Sequence, residues 1–243
     1  MPELRIIPLA GIPEVTEGDD VAELVAAAAV ELEDDDIVVL AQKVVSKAEG
    51  RVVRLVEIEP SQRALELAGD LDPRRVEVIL REAVEIVRVR PPLLIAETRH
   101  GFICASAGVD SSNAPEADML VLLPEDPDAS AARIRERLRE LTGRTTGVLI
   151  TDSFGRAFRQ GTTDVAIGAA GLPVILDLRG TRDSVGYELH ATMIAVADEL
   201  AAAAELVMGK TGGVPGAVVR GLHLKGAGKA RDLAIPAERD LFR

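Results

Sequence analysis

The chain has no tryptophan, one tyrosine and four phenylalanines among its 243 residues. With aromatic side chains so scarce, it is notable that Phe154 and Phe158 both fall in the short segment 151–161. Cysteine occurs once, at Cys104, which excludes an internal disulfide and fits a reducing, cytoplasmic setting. No histidine or other base follows Cys104 at a recognisable spacing, so it reads as a small buried hydrophobe rather than a nucleophile. No apolar run reaches the roughly eighteen residues of a bilayer span, and the alanine-rich stretch 21–30 is interrupted by Glu23 and flanked by acids. The opening residues Met1-Pro2-Glu3-Leu4-Arg5 lack the charged-then-apolar pattern of a secretory signal. Positive charge is also short. The formal net charge of −12 argues against nonspecific binding to nucleic acid or to an anionic membrane, both of which need a basic face.

What is present is enough for a real core. Apolar residues make up 47% of the chain, and with no repeat, low-complexity linker or clear boundary, residues 1–243 read as a single domain. Strands are expected over 4–10, 36–42, 51–57, 93–97, 102–107, 119–123, 148–151, 165–170 and 217–220, from continuous or alternating apolar runs. Helices are expected over 21–32, capped by Asp19 or Asp20, over 62–71 and over 73–87 with Pro73 near its start. Further helices are an arginine-rich one, capped by Asp128 or Ser130 and ending at Thr142-Gly143, and a long alanine-rich one over 190–208. Strands and helices alternate without a strict βαβ rhythm, so the expected class is α+β, mixed sheets with packed helices, rather than a doubly wound sheet.

Three segments carry more chemistry than a core or an ordinary surface needs. Thr151-Asp152-Ser153-Phe154-Gly155-Arg156-Ala157-Phe158-Arg159-Gln160-Gly161 follows an apolar run and supplies a carboxylate, hydroxyls, two guanidiniums and two glycines, the equipment of an anion and metal site. Ala105-Ser106-Ala107-Gly108-Val109-Asp110-Ser111-Ser112-Asn113 leads out of a strand into hard oxygen ligands suited to Mg²⁺ or Mn²⁺, although a capped turn uses the same letters. Gln42-Lys43-Val44-Val45-Ser46-Lys47-Ala48-Glu49-Gly50 places two of the chain's few lysines after a buried strand, as a cationic arm or a solvated strand end. The other lysines are Lys210, Lys225 and Lys229.

Met208-Gly209-Lys210-Thr211 resembles the end of a P-loop, but the required glycine is replaced by Ala204 and the lysine follows a helix instead of preceding one. It is not a Walker A site, yet Gly209, Gly212 and Gly213 leave amides free to approach a phosphate. Two aspartates at strand ends, with lysine and arginine loops nearby, are what phosphoryl transfer requires, because carboxylates hold cations on a nucleotide and cations offset charge on the transferred group. His100, His190 and His223 form no ligand spacing.

Taken in order, Ser46-Lys47-Ala48-Glu49-Gly50-Arg51, the stretch 107–113, Thr151-Asp152-Ser153-Phe154-Gly155-Arg156 and Val218-Val219-Arg220-Gly221 resemble the coenzyme F420:L-glutamate ligase family, over about residues 7–222. The resemblance implies a family-specific α+β fold, an intertwined homodimer, and no C-terminal nitroreductase-like domain in this chain. It implies a ligase that uses GTP and Mg²⁺ or Mn²⁺, with K⁺ as a further candidate ion, to join L-glutamate to the lactyl carboxylate of F420-0 or its dehydro form and then to add gamma-linked glutamates. Carried over by motif, Asp110, Asp152 and Ser153 would bind metal, Ser153 standing where a threonine is common. Ile12, Pro13, Glu14, Val15, Gln42, Lys43, Lys47, Asn113, Met208, Gly209, Lys210, Thr211, Gly212, Gly213 and Val214 would contact GTP. Lys210 stands where a metal-binding glutamate is expected: either water and phosphate complete a second metal site, or Lys210 neutralises phosphate itself. Arg156 or Arg159 would hold the substrate carboxylate or the pentavalent phosphorus in a bidentate grip. The alternative function is a metal-dependent phosphotransferase or nucleotide hydrolase acting on another small acid.

Overall fold

A computed structural model describes residues 3–28, 30–224 and 226–241, so Lys225 lies outside the described residues. In chain order the first elements are β1 (Arg5–Pro8), α1 (Val21–Ala27), β2 (Ile37–Ala41), α2 (Gln42–Ala48), β3 (Val52–Arg54), α3 (Gln62–Ala68), α4 (Pro73–Glu82), β4 (Ala83–Arg90) and β5 (Leu93–Thr98). Then come β6 (Ile103–Ala105), β7 (Met119–Val121), α5 (Pro127–Thr142), β8 (Gly147–Gly155), β9 (Thr162–Ala170), β10 (Leu176–Asp177), β11 (Met193–Ile194), α6 (Val196–Met208) and β12 (Gly216–Arg220). The class is α+β, as the mixture of patterns predicts.

The central sheet has the order β1-β12-β2-β8-β9. β2 and β8 run parallel, whereas β12 is antiparallel to both β1 and β2, and β9 is antiparallel to β8. Continuous apolar sequence in β2 and β8 is explained by burial on both faces. Val38, Leu40, Val148, Ile150 and Val218 pack on one side with residues of α1, α2 and α5. Ile37, Val39, Leu149, Ala217 and Val219 pack on the other with α6. Burying each larger side chain of this kind is worth about 1.5–3 kcal/mol. Gly168 lets β9 approach the start of α5 closely, since a Cβ there would lie 2.4 Å from Pro127 O. A second sheet, β4-β5-β6, is joined by α3 and α4, and β3 pairs with β7.

Several expected boundaries are corrected. The helix expected over 73–87 ends at Glu82, and Ala83–Arg90 is a strand paired with β5. The helix expected over 190–208 begins only at Val196, and the one over 21–32 stops at Ala27. Residues 42–48, read as a strand end or an arm, form α2. Strand 51–57 is β3 followed by a 3-10 turn. Asp126, rather than Asp128 or Ser130, caps α5 through Ala129 N at 3.0 Å. Asp128 is instead buried and accepts from Ala169 N at 2.9 Å and Ala230 N at 2.7 Å, tying β9 and the C-terminal segment to α5. Among the described residues no helix is long and apolar enough to cross a membrane.

Candidate active site

Strand directions gather the singled-out segments at one end of the central sheet. β2 ends at Ala41 opposite Thr151 of β8, so α2 and the 151–161 segment leave the sheet side by side. β1 ends at Pro8 opposite Ala217, which delivers Ile12, Pro13, Glu14 and Val15 to the same end. The 208–214 loop arrives there too, because it leads into Gly216, paired with Leu40. Crevices beyond the carboxyl ends of parallel strands are the usual ligand position in sheets of this kind.

The first charged cluster spans α2 and the loop after β6. Lys43 Nζ lies 2.6 Å from Asp110 Oδ2 and donates to Ser112 Oγ at 2.6 Å. Asp110 is placed by paired backbone bonds with Val121, at 3.0 and 2.8 Å. Burial works against its charge, but hydrogen bonds from Lys43 Nζ and from Ser112 N and Oγ, the latter two at 2.8 and 2.7 Å, outweigh it and hold the carboxyl below the usual range.

The second cluster lies on β8, β9 and α6. Asp164, 3% exposed, stands opposite Ser153 in the β-ladder and accepts from Thr151 Oγ1 at 3.2 Å and Ser153 Oγ at 2.5 Å. Lys210 Nζ donates to Asp164 Oδ1 at 3.0 Å and to Ser153 Oγ, and lies 3.4 Å from Glu205 Oε1. Burial opposes the Lys210 charge, but Asp164 and Glu205 prevail and hold its ammonium above the ordinary lysine range.

Asp152 stands between the clusters. Burial pushes its carboxyl up to about 7, and the Asp110 and Asp164 charges add to the rise, while a backbone bond at Ser153 and the Lys43 charge oppose it. Among the described residues, Asp110, Asp152, Asp164 and Glu205 are set against Lys43 and Lys210, an excess of two negative charges once Asp152 is ionised. Among the described residues no three His, Cys, Asp or Glu side chains gather as a ready metal cage. The centre nevertheless fits a divalent cation, because hard carboxylate oxygens are in place and an Asp is left without sufficient countercharge.

Comparison with known proteins identifies the family. The family model described as F420-0:Gamma-glutamyl ligase matches residues 11–221. The chain belongs to that family. It is similar to the protein named coenzyme F420:L-glutamate ligase from Methanopyrus kandleri, 53% identical over 251 aligned positions covering 100% of this chain and 99% of that protein. Proteins of the same name from Methanothermobacter thermautotrophicus and Archaeoglobus fulgidus are 47% and 42% identical, each over 99% of this chain and over 99% and 96% of their own lengths.

Other expected site residues of this F420-0:gamma-glutamyl ligase family member are placed as follows. Lys47 is 7% exposed and pairs with Glu14, so α2 sends its two lysines to different partners. Gln42 is buried, with Oε1 accepting from Ser46 Oγ at 2.7 Å and Nε2 without a partner among the described residues. Asn113 is exposed in a left-handed turn three residues after Asp110. Met208 is buried at the end of α6, Gly209 caps that helix at φ 57°, and Thr211, Gly212, Gly213 and Val214 continue as a loop. Arg156 and Arg159 are exposed at the tip of the β8–β9 hairpin, with Arg156 donating to Gln160 O at 2.9 Å. Among the described residues neither arginine makes a hydrogen bond or ion pair with either cluster, although the tip begins only two strand residues beyond the Ser153–Asp164 pair.

Phe154 packs edge-on against Phe102 at 6.2 Å, whereas Phe158 is 89% exposed. The Cys104 thiol is pushed up to about 12 by burial and the Asp152 charge, which agrees with a structural cysteine. Each histidine has a structural partner: His100 at Pro124 O and Glu125 O, His190 at Glu188 and His223 at Asp35. Sequence reasoning missed Asp164 and Glu205. An acid beginning the apolar run 165–170 was the available signal for Asp164, and nothing local marks Glu205 among the alanines of α6.

Proposed function

We propose that this chain is a GTP- and divalent-metal-dependent ligase that joins L-glutamate to the lactyl carboxylate of F420-0 and then adds further glutamates through gamma linkages. The observation that carries the reading is the convergence of Asp110, Asp152 and Asp164 with Lys43 and Lys210 at one end of the sheet, in a member of this family. Ile12, Pro13, Glu14, Val15, Gln42, Lys43, Lys47, Asn113 and the 208–214 loop border that end and are assigned to the nucleotide.

A carboxylate is a poor acyl donor because oxide is a poor leaving group. In the proposed first step an oxygen of the lactyl carboxylate attacks the γ-phosphorus, the bond to the β,γ-bridging oxygen breaks, and GDP departs. Glutamate's neutral amine then adds to the acyl carbon of the resulting acyl phosphate, the carbon–oxygen bond breaks, phosphate leaves and the amine proton passes to solvent. Lys43 and Lys210 offset charge on the phosphates as point cations. Asp110 and Asp152 would hold Mg²⁺ or Mn²⁺, which when bound withdraws charge from the triphosphate. Arg156 and Arg159, on a hairpin tip, are assigned to the acceptor carboxylate or the transferred phosphoryl group.

Mass spectrometry of F420-0 incubated with the chain, GTP, Mn²⁺ and L-glutamate is expected to show successive glutamyl additions. Phosphate released from GTP with no F420-0 present, and no change in its mass when it is added, would favour the phosphotransferase or hydrolase alternative.

A homodimer belongs to the same reading. Val185 and Tyr187 are 87% and 62% exposed on the arm 178–192, apolar surface that a second copy can cover. Analytical ultracentrifugation is expected to give a dimer; sedimentation at the monomer mass would remove this part.

A further inference from the structure

One corner of the centre already contains a cation that belongs to the chain. Ser153 on β8, Asp164 on β9 and Glu205 on α6 converge on Lys210 Nζ, with Asp164 Oδ1 at 3.0 Å and Glu205 Oε1 at 3.4 Å. The carboxylates are themselves fixed. Glu205 Oε2 accepts from Asp164 N at 2.9 Å, and Asp164 also accepts from Thr151 Oγ1 and Ser153 Oγ, at 3.2 and 2.5 Å. Two carboxylates and a hydroxyl from three elements form a donor set that a hard divalent ion takes readily. Here an ammonium, with three donors and one charge, occupies it.

Charge points the same way. With Lys210 in place and Asp152 ionised, as a metal ligand must be, the four acids and two lysines of the centre leave an excess of two negative charges, enough for one divalent ion. Without Lys210 the excess becomes three and a carboxylate pair is left without countercharge.

We infer, resting on the ligase reading above, that Lys210 is a tethered cation: its ammonium takes the place between Ser153, Asp164 and Glu205 that a second divalent ion would fill, so the chain binds one such ion, at Asp110 and Asp152. Ser153 then serves the lysine and Asp164 instead of the metal. Asp164 and Glu205 act as positioning residues that hold the ammonium toward the phosphates.

The test is Mn²⁺ binding to the full chain, without nucleotide, followed by the electron paramagnetic resonance signal of free Mn²⁺. Wild type is expected to bind one Mn²⁺ per chain and Lys210→Gln two, while Lys210→Gln combined with Glu205→Gln returns to one. Equal counts in wild type and Lys210→Gln, or two ions in the double variant, overturn the inference. So do two ions in wild type alone, whatever becomes of the variants. Lys210 is about half exposed, so Lys210→Gln removes no core packing, and Lys210→Arg, which keeps a cation, is expected to stay at one. The count requires no turnover. A wild type that ligates glutamate but binds two ions overturns this inference and leaves the ligase reading. A chain that shows the expected counts but forms no product overturns the ligase reading alone.

Discussion

Asp152→Asn is expected to lower glutamate ligation by at least about 10²–10³-fold, the range found when one preorganised electrostatic group is removed from a reaction centre, while making the ligand-free chain more stable. The two effects share a cause. Asp152 is half-buried and flanked by Asp110 and Asp164, and its carboxyl is moved from an ordinary value of 3.8 to about 7. The folded state therefore binds a proton that the unfolded chain has lost over that interval, and stability falls as pH rises from about 4 to about 7. Above that window the whole penalty is present, on the order of a few kcal/mol at 1.36 kcal/mol per unit. Asparagine keeps the shape and removes the charge. The variant should melt higher than wild type at pH about 8, and the difference should vanish toward pH about 3, where both states of wild type are protonated. Thermal melts across that range, beside a ligation assay, check both halves. Full turnover in the variant would remove Asp152 from the centre, and a melting difference independent of pH would remove its buried charge as the cause.

That a carboxylate of this kind stood at residue 152 was legible in the sequence, because apolar run, acid and hydroxyls follow one another without interruption. The strands that position it were legible for the same reason: β2 and β8 are buried on both faces and read as continuous apolar runs. β4 was not. Ala83-Val84-Glu85-Ile86-Val87-Arg88-Val89-Arg90 follows α4 with no proline or glycine between them, and only hydrogen bonding to β5 decides that it is a strand. This is tertiary context overriding a local pattern. α2 was missed for the opposite reason. Its seven residues follow directly from β2, and Val44, Val45, Ser46 and Lys47 are all buried, so no polar face announces a helix. Asp164 and Glu205 owe their roles to contacts with Ser153 and Lys210, and a reading of neighbouring letters carries no information about such pairings. Arg156 and Arg159 were legible as residues but not as a place. The sequence puts them four and seven positions from Asp152, and the extension of β8 into a hairpin carries them away from it.

Lys43→Ala is expected to weaken GTP binding by about 10²-fold, or about 2–3 kcal/mol, the scale of a lost charge-assisted contact to phosphate, without weakening Mn²⁺ binding to the nucleotide-free chain. Lys43 Nζ lies within 2.6 Å of both Asp110 Oδ2 and Ser112 Oγ and is one of two ammoniums facing four acids. Two consequences of its removal oppose each other for metal. Asp110 and Asp152 lose the nearest positive charge and are more readily protonated, which lowers metal affinity because a ligand must be ionised to bind. The remaining carboxylates also present more negative charge to an incoming dication, which raises affinity. At neutral pH the second effect prevails at Asp110, whose carboxyl keeps the Ser112 N and Oγ hydrogen bonds at 2.8 and 2.7 Å that favour its ionised form. A polyanionic nucleotide has no such compensation, since it loses a cation and meets stronger repulsion from the same acids. Calorimetric titrations with Mn²⁺ and with GTP should therefore move apart in the variant. A parallel loss of both would mean that Lys43 only props the loop carrying Asp110, and unchanged GTP affinity would place the phosphates elsewhere on the sheet.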